Sequence, residues 1–331
     1  MSDPSSRLNL IQRAIQREAS ARKAARPNQA VQENRATVGS DPGPATGLPD
    51  EILASAPPSI RAEAAPSIRA ELVEPLQPPL GQPVRLDAAK LAESRIGTVQ
   101  DSHSVSYNEF RALKRKLIPM IADPETGALT RNVVMVTSAV PGEGKTFTTM
   151  NLAIALAAEP NLNVILVDGD SVRSSIETYF QASDRDGLLE LLTGKRQRLD
   201  EVLHPCADLP RLHVLFSGAR HDATPELLAS RGMAELCATL SARFPQSIVL
   251  FDTPPVLAAS EATAMAAHVH HLIMVVAAGR SKRNQVEAAL TEMSRCPSMS
   301  VVFNRSPEWE RPLNDMYSLP YSYASEHLKR A

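Results

Sequence analysis

The feature that most constrains the fold is an alternation of short apolar runs with helical stretches between residues 132 and 304. The apolar runs, rich in β-branched residues, occupy residues 132–138, 163–168, 212–216, 247–252, 272–277 and 300–304. The main helical stretches between them are residues 145–159, 225–244 and 282–295. Continuous apolar strands separated by helices are typical of a parallel sheet covered on both faces. The pattern predicts an α/β fold, a doubly wound, mostly parallel sheet with helices on both faces.

One strand-to-helix connection has the composition of a phosphate-binding loop. Residues 139–146 read AVPGEGKT and directly follow the first predicted strand. Gly142 and Gly144 allow the backbone to approach phosphates, and the amino terminus of the following helix adds favourable partial charge. Lys145 is then expected to bridge the β- and γ-phosphates of a nucleotide, and the Thr146 hydroxyl to ligate magnesium. The loop lies beyond the carboxyl end of a strand, where doubly wound sheets bind their ligands.

Carboxylates at two further strand ends support this prediction. The loop departs from the usual pattern at its first position, where Ala139 stands instead of glycine. Asp168 and Asp170 follow the second strand, however, and Asp252 ends the fourth. A single aspartate after a strand usually caps a turn, whereas three acids beside a phosphate loop suit magnesium coordination and water positioning. The combination predicts a magnesium-nucleotide site.

The first hundred residues have a different composition from the rest of the chain. They contain twelve prolines, and no Phe, Trp or Tyr occurs before Tyr107. Such a segment buries too little apolar surface to offset its ordering entropy, so we expect most of it to be disordered. The expected organisation is a proline-rich disordered linker at residues 27–95, a folded domain at residues 96–314 and a tail at residues 315–331.

Residues 1–26 are expected to form a short basic amphipathic helix ahead of the linker. Leu8, Ile11 and Ile15 recur at helical spacing, and six basic residues between positions 7 and 26 stand against one acid. A solvated, partly formed helix fits this pattern, and so does a helix that docks on a partner or on anionic lipid.

Charge, cysteine usage and hydropathy exclude several other classes of protein. A net charge of −2 gives no whole-chain field for nucleic acid or an acidic membrane surface. Cys206, Cys237 and Cys296 are too widely spaced for a disulfide framework or a zinc knuckle, which predicts reduced thiols and a cytoplasmic location. The longest apolar runs, such as the one beginning at His271, are too short for a membrane span, and no signal peptide is expected.

The phosphate loop and the acidic strand ends together resemble the deviant Walker-box ATPases, and more narrowly the bacterial tyrosine kinases. Relatives of the MinD and ParA type carry a lysine early in the loop, where this chain has Val140. The PGEGKT form at residues 141–146 and the DTPP at residues 252–255 are similar to those of the tyrosine kinases. Further segments that follow the family's order are residues 186–194, 216–233 and 301–306. The resemblance covers roughly residues 100–331, about two thirds of the chain.

Two segments outside the phosphate site also resemble the family. Residues 8–16, LNLIQRAIQ, are similar to the N-terminal helix of stand-alone kinases encoded with exosortase-type or other exopolysaccharide systems. Residues 106–118, SYNEFRALKRKLI, are similar to a helix that makes subunit contacts in ring-forming relatives. Arg111 and Lys114 match its basic positions, while Asn108 replaces its first glutamate.

The resemblance implies a protein-tyrosine autokinase that regulates exopolysaccharide polymerisation or export. It implies ATP and Mg²⁺ as ligands and an inner-membrane polysaccharide co-polymerase of the chain-length-determinant type as partner. It further implies a protein-tyrosine phosphatase, a possible homo-oligomer and a peripheral location at the inner membrane through the partner. No nucleic acid is expected.

The tail carries the expected phosphoacceptors. Tyr317, Tyr321 and Tyr323 lie within the last fifteen residues and match the family's autophosphorylated tyrosine cluster. Without the resemblance, a set of packing anchors is an alternative interpretation of the same cluster.

Carried onto this chain, the family's site assigns roles to individual residues. Lys145, Asp168 and Asp170 are expected to be catalytic, with Asp168 accepting the tyrosine proton. Magnesium is expected on Thr146 and Asp170, with Asp252 acting through water. The residues expected to contact the nucleotide are Pro141, Gly142, Glu143, Gly144, Lys145, Thr146, Phe147 and Asn304.

Departures from the family pattern leave alternatives open. The family's D-x-D-x-R box reads DGDSVR here, so Val172 stands where the first arginine is expected, and Arg173 follows it. If that arginine contacts phosphate, catalysis is altered or lost, and the chain is then an ATP-binding regulator of the same machinery. A MinD-like ATPase is a third alternative, which Val140 disfavours. Asn304 is expected either to contact adenine, as in related ATPases, or to be an ordinary strand-end asparagine.

Overall fold

The computed structural model describes residues 81–98, 105–171 and 175–306. The predicted amphipathic helix at residues 1–26, the tail at residues 315–331, and Val172 with Arg173 lie outside the described residues. The predictions made for these segments therefore stay predictions.

A seven-stranded sheet forms the centre of the described domain. Its strands are β1 (Val133–Ser138), β2 (Asn163–Asp168), β3 (Leu203–Pro205), β4 (Leu212–Leu215), β5 (Ser247–Asp252), β6 (His271–Ala277) and β7 (Met299–Asn304). Their spatial order is β3-β4-β2-β5-β1-β6-β7, and every neighbouring pair is parallel except β3 with β4. The predicted mostly parallel α/β sheet is confirmed.

Helices cover both faces of this sheet. Within the described residues they are α1 (Ala88–Glu93), α2 (Val105–Ile121), α3 (Lys145–Ala157), α4 (Leu188–Leu192), α5 (Thr224–Leu228), α6 (Arg231–Arg243), α7 (Ser260–Met265) and α8 (Arg283–Glu292). Two short 3₁₀ turns lie at Glu177–Tyr179 and Leu199–Glu201. None of the helices in this part of the chain has the length and apolar character needed to cross a membrane.

One predicted helix and one strand differ from the sequence pattern. The helix predicted at residues 225–244 is divided into α5 and α6. Ser230 separates the two, because its hydroxyl accepts a hydrogen bond from the Met233 amide at 3.3 Å and so caps α6. The sequence pattern does not predict β3, since its three residues include a proline and are too few to show a period.

Side chains of the strands point alternately into two hydrophobic cores, one on each face of the sheet. In β1, Met135 belongs to one core, and Val134 and Val136 belong to the other. Helices α6, α7 and α8 cover the first core, and α1, α2 and α3 cover the second. Because both faces are buried, both sets of side chains are apolar, which explains why the strands read as continuous apolar runs.

Residues 81–96 correct the predicted boundary between linker and folded domain. The predicted linker extends to residue 95, yet Val84, Leu91 and Ile96 are buried in the second core. Val84 also forms a backbone bridge to the chain that follows β3. These three buried residues cannot be recognised from the proline-rich composition of the first hundred residues, because they pack against parts of the chain that are far away in sequence. The folded domain therefore begins well before residue 96.

Helix α2 packs against α3, the helix that follows the phosphate loop. The rings of Phe110 and Phe147 meet edge to face with their centroids 5.8 Å apart. The buried Lys114 ammonium donates to the Ala155 carbonyl at 3.2 Å and pairs with Glu159. A basic position that resembles a subunit-contact residue thus makes contacts within one chain, and the subunit contact stays a prediction.

Candidate active site

The strand order brings the three predicted functional segments to one edge of the sheet. Strand β5 lies between β1 and β2. Asp252 at the end of β5 is in register with Asp168 at the end of β2 and with Val136 near the end of β1. The loop after β1 therefore lies beside both acidic strand ends, as the parallel topology predicts.

The loop between β1 and α3 turns on two glycines in the left-handed conformation. The φ angle is 82° at Gly142 and 98° at Gly144, where residues with a side chain are strained. Gly144 also has no room for a side chain, because a Cβ atom there would collide with the amide nitrogen of Asn304. No side chain caps the start of α3, and an uncapped helix amino terminus is suited to an anion.

Glu143 holds the loop from within the protein. The residue is only 3% exposed, and one carboxylate oxygen accepts a hydrogen bond from the Val140 amide at 2.9 Å. The other oxygen accepts a hydrogen bond from the hydroxyl of Ser281, which in turn accepts one from the Ala277 amide at 2.8 Å. This carboxylate connects the phosphate loop to the segment after β6 and does not line the cleft described below. Its predicted contact with a nucleotide stays a prediction.

Asn304, at the end of β7, holds the loop from another side. Its Nδ2 atom donates to the Glu143 carbonyl at 2.9 Å, and its Oδ1 atom accepts from the Arg305 amide at 2.9 Å. These contacts favour the alternative of a structural strand-end asparagine. The predicted adenine contact stays a prediction.

The Lys145 ammonium lies between two of the predicted carboxylates. Its Nζ atom is 2.6 Å from Asp170 Oδ2 and 3.8 Å from Asp252 Oδ2. Burial alone would lower the pKa of Lys145, but the charges of Asp252 and Asp170 outweigh burial and raise this pKa above its ordinary value. Lys145 therefore carries a full positive charge beside the acidic strand ends.

Asp252 is fully buried and accepts hydrogen bonds from two threonines of α3. Thr146 Oγ1 donates to Asp252 Oδ2 at 2.7 Å, and Thr149 Oγ1 donates to Oδ1 at 3.1 Å. Burial raises the pKa of Asp252, and the Lys145 charge and the Thr146 hydrogen bond offset only part of that effect. The predicted magnesium ligand Thr146 thus lies within hydrogen-bond distance of Asp252.

Asp168 and Asp170 are both buried, but only one of them faces the cleft. Asp170 is 2% exposed and lines it, whereas Asp168 is 0% exposed and does not. The Asp168 carboxylate accepts a hydrogen bond from the Asp170 amide at 3.1 Å. Asp168 is therefore the deeper of the two carboxylates.

A cleft of about 650 Å³ opens between the phosphate loop and the segment after β5. Among the predicted nucleotide-contacting residues, it is lined by Pro141, Gly142, Gly144, Lys145, Thr146 and Phe147. Asp170 and Ser175 also line it, and residues 254, 255 and 258–261 complete the lining. The volume lies in the range of small-molecule sites.

The oxygen donors around Lys145 fit a magnesium ion. The Thr146 hydroxyl and the carboxylates of Asp170 and Asp252 are ligands of the kind that magnesium prefers, and all three surround one ammonium group. Residues 81–98, 105–171 and 175–306 hold no cluster of three His, Cys, Asp or Glu side chains suited to a metal, and this site offers two carboxylates and one hydroxyl. A site of this type is completed by phosphate oxygens and water.

Several contributors to the site are not predicted from the sequence. Ser175 donates from Oγ to the Thr146 hydroxyl at 3.2 Å. Ser281 reaches Glu143 across 138 positions of sequence, and no local pattern signals such a contact. Residues 254–261, which form one side of the cleft, could have been suspected from one sequence feature, the proline pair of the DTPP sequence at residues 252–255.

The fold, the glycine-turned loop and the acidic strand ends define a P-loop nucleotide-binding protein. No protein-family model matches the chain. The chain is 32% identical over 165 residues to tyrosine-protein kinase YwqD of Bacillus subtilis, which is 50% of this chain and 68% of YwqD. It is 30% identical over 178 residues to tyrosine-protein kinase CpsD of Streptococcus pneumoniae, which is 52% of this chain and 75% of CpsD. The chain belongs to the bacterial tyrosine kinase family.

Solved structures agree with this assignment. The kinase domain of the Escherichia coli tyrosine kinase ETK is 25% identical with a TM-score of 0.54, over 61% of this chain and 77% of that domain. The BceF tyrosine kinase domain is also 25% identical with a TM-score of 0.54, over 69% of this chain and 94% of that domain. Some relatives are much longer, and the chain spans only 23% of EpsB of Ralstonia nicotianae.

Proposed function

We propose that this chain is a protein-tyrosine kinase that transfers the γ-phosphate of ATP to tyrosine. The proposal rests on the meeting of Lys145, Thr146, Asp170 and Asp252 around one phosphate loop. Phosphoryl transfer depends mainly on positioning and charge neutralisation, and this group supplies one cation and two carboxylates at the ends of rigid elements. The names of YwqD and CpsD support tyrosine as the acceptor class.

ATP is proposed to bind with its phosphates in the loop at residues 139–146. The loop backbone and the amino terminus of α3 receive the phosphates, and Lys145 exchanges its contact with Asp170 for one with phosphate oxygens. Thr146 and Asp170 would hold magnesium, with Asp252 one water molecule away. When bound, that ion neutralises negative charge on the phosphate chain.

In the proposed transfer, the tyrosine oxygen attacks the γ-phosphorus and the bond to the β-phosphate oxygen breaks. The phenolic proton passes to a carboxylate, and Asp168 is proposed for this role from the family resemblance. The hydrogen bond from the Asp170 amide holds the Asp168 carboxylate in one orientation. Because Asp168 is fully buried, this step requires the chain after β2 to move.

Tyr317, Tyr321 and Tyr323 are proposed as the acceptors within the chain itself. Strand β7 ends at Asn304, whose amide contacts the phosphate loop. Tyr317 follows thirteen residues later, and a chain of that length spans at most roughly 45 Å. A tail attached beside the loop therefore has the reach to present its tyrosines to the cleft of its own chain or of a second copy.

The biological setting is proposed from the resemblance of residues 8–16 to the N-terminal helix of stand-alone exopolysaccharide-associated kinases. The kinase would regulate exopolysaccharide polymerisation or export through an inner-membrane co-polymerase of the chain-length-determinant type. It would associate peripherally with that membrane through the partner, and a protein-tyrosine phosphatase would reverse the modification.

An ATP-binding regulator without phosphotransfer is the second candidate, and the position of Asp168 favours it. As long as Asp168 stays outside the cleft lining, its carboxylate cannot receive a proton from an acceptor bound in the cleft. The two candidates share nucleotide binding and differ only in whether phosphotyrosine forms.

Lys145→Met in the full chain tests the proposed function. We expect the phosphotyrosine signal after incubation with Mg²⁺ and ATP to fall at least ~100-fold, as is typical when an electrostatic contact to the transition state is lost. Lys195→Met is the matched control, because that lysine is exposed and pairs with Asp186 away from the loop. Full signal in Lys145→Met would rule out the kinase as described.

A further inference from the structure

The segment after β5 gives the cleft a lining that the phosphates of a nucleotide do not explain. Pro254, Pro255, Ala258 and Ala259 supply apolar surface, and Glu261 supplies a carboxylate. Phosphate groups make no hydrogen bonds to apolar carbon, and a further negative charge repels them. This part of the cleft therefore suits a different group.

Backbone contacts preform this lining. The Val256 amide donates to the Ser138 carbonyl at 2.8 Å, and the Leu257 amide donates to the Ala139 carbonyl at 3.1 Å. The segment is thus fastened to the end of β1 and to the first residue of the phosphate loop. Its surface keeps a fixed position relative to the loop, as a binding wall requires.

Glu261 presents to the cleft a carboxylate that has no partner within the described residues. The residue is 6% exposed, and within the described ranges its side chain makes no hydrogen bond and no ion pair. A bound group that donates a hydrogen bond to this carboxylate gains the energy of a hydrogen bond to a charged acceptor. Because Glu261 lines the cleft, that group can arrive from solution.

We propose that Glu261 and the apolar wall beside it form the subsite for the phenol side chain of the acceptor tyrosine. The ring lies against the surface of Pro254, Pro255, Ala258 and Ala259. Before transfer its hydroxyl donates a hydrogen bond to the Glu261 carboxylate, and this hydrogen bond breaks when the proton passes to Asp168 in the step proposed above. The inference rests on the proposed kinase function, and it names the group that selects and orients the acceptor.

The chemistry of the lining matches a phenol better than it matches the other hydroxyl acceptors of proteins. Tyrosine joins a flat apolar body to a single polar tip, and the lining joins apolar carbon to one buried carboxylate. Serine and threonine lack the ring, and phenylalanine lacks the donor. Within this chain, the proposed ligand of the subsite is a tyrosine of the tail, which follows Asn304, a residue that contacts the same loop.

Phenol binding can be measured without turnover. The protein is the full chain with Tyr317, Tyr321 and Tyr323 replaced by Phe, so that its own tail does not compete. The probe is N-acetyl-tyrosinamide, titrated by saturation-transfer NMR, with N-acetyl-phenylalaninamide as the matched probe without a hydroxyl. We expect the tyrosine probe to bind at least about tenfold more tightly than the phenylalanine probe, as a hydrogen bond to a charged group implies.

Substitution of Glu261 then identifies the acceptor of that hydrogen bond. We expect Glu261→Ala to weaken binding of the tyrosine probe about tenfold or more, and Glu261→Gln to weaken it less. Glu226→Ala is the matched control, since Glu226 also lies in the first turn of a short helix but is exposed; this control should bind the probe as the parent does. If Glu261→Ala misfolds, as judged by lost nucleotide affinity, binding of the tyrosine probe to Glu261→Gln serves as the test instead.

Two results would overturn the inference. One is undiminished binding of the tyrosine probe in folded Glu261→Ala or Glu261→Gln, and the other is equal binding of the two probes to the parent. Failure of the kinase proposal is distinguishable from both, because it would appear as absent phosphotyrosine in a protein that still binds the phenol through Glu261.

Discussion

At the residue scale, the phosphate loop owes its shape to side chains that face away from the cleft. The Glu143 carboxylate accepts hydrogen bonds from Val140 and Ser281, and the Glu143 carbonyl accepts one from Asn304. Gly144 lies in the left-handed conformation against Asn304, where a Cβ atom would collide with the Asn304 side-chain amide. These hydrogen bonds lie within the protein, away from the cleft, and they hold the loop in a conformation that suits an anion before any anion binds.

Ser281→Ala should loosen the loop by removing one of these hydrogen bonds. The buried Glu143 carboxylate keeps a single partner, at Val140, and a lost hydrogen bond to a charged group should raise the nucleotide Kd roughly tenfold. Titration with a fluorescent ATP analogue measures the effect, and Ser281→Thr, which retains the hydroxyl, should restore most of the affinity. A folded Ser281→Ala protein with unchanged Kd would contradict the positioning role of Glu143.

Asp252→Asn should make the protein more stable at neutral pH. Folding raises the pKa of Asp252, chiefly through burial, so the folded state binds this proton more tightly than the unfolded chain does. The charge therefore destabilises the fold at pH values above the folded pKa. The penalty shrinks as the pH falls below the folded pKa and is gone below the unfolded pKa. We expect the variant's Tm to be higher by about 2–4 °C, equivalent to ~1 kcal/mol in a domain of this size.

Differential scanning calorimetry across pH checks the sign of this effect. The gap in Tm between Asp252→Asn and the wild type should shrink on acidification, because protonation then removes the same charge from the wild type. A variant that is less stable at neutral pH would show that the contacts of Lys145, Thr146 and Thr149 outweigh the burial of the charge.

At the element scale, the sequence predicts what hydrophobic periodicity encodes. Six of the seven strands and the helix after the phosphate loop follow from runs of apolar residues. The break at Ser230 and the edge strand β3 depend on a cap and on a neighbouring strand, which periodicity does not record. Residues 81–96 were assigned to the linker for the same reason, since three buried anchors in a proline-rich stretch form no repeating pattern.

Leu91→Ala tests whether α1 belongs to the folded domain. Leu91 is buried against the second core, so the variant should lower the free energy of unfolding by about 2–5 kcal/mol. Urea unfolding of the full chain measures this change, and the exposed neighbour Lys90→Ala should stay within about 0.5 kcal/mol of the wild type. Equal free energies of unfolding for the two variants would show that residues 81–96 belong to the linker and not to the folded domain.

At the scale of the whole molecule, the strand order determines which residues meet. Placing β5 between β1 and β2 brings Lys145, Asp170 and Asp252 together, and the parallel topology allows this to be predicted from strand ends alone. The contacts of Ser281 and the cleft position of Glu261 were not predictable in this way, because they depend on where loops pack after the sheet has formed. The roles of the gathered residues remain proposals for experiment.

The most direct test of the central claim is mass spectrometry of the C-terminal peptide after the full chain is incubated with Mg²⁺ and ATP. The proposed kinase predicts phosphate on Tyr317, Tyr321 or Tyr323 in the wild type and none in Lys145→Met. Formation of ADP that depends on Lys145, with every tyrosine of the chain unmodified, would contradict it.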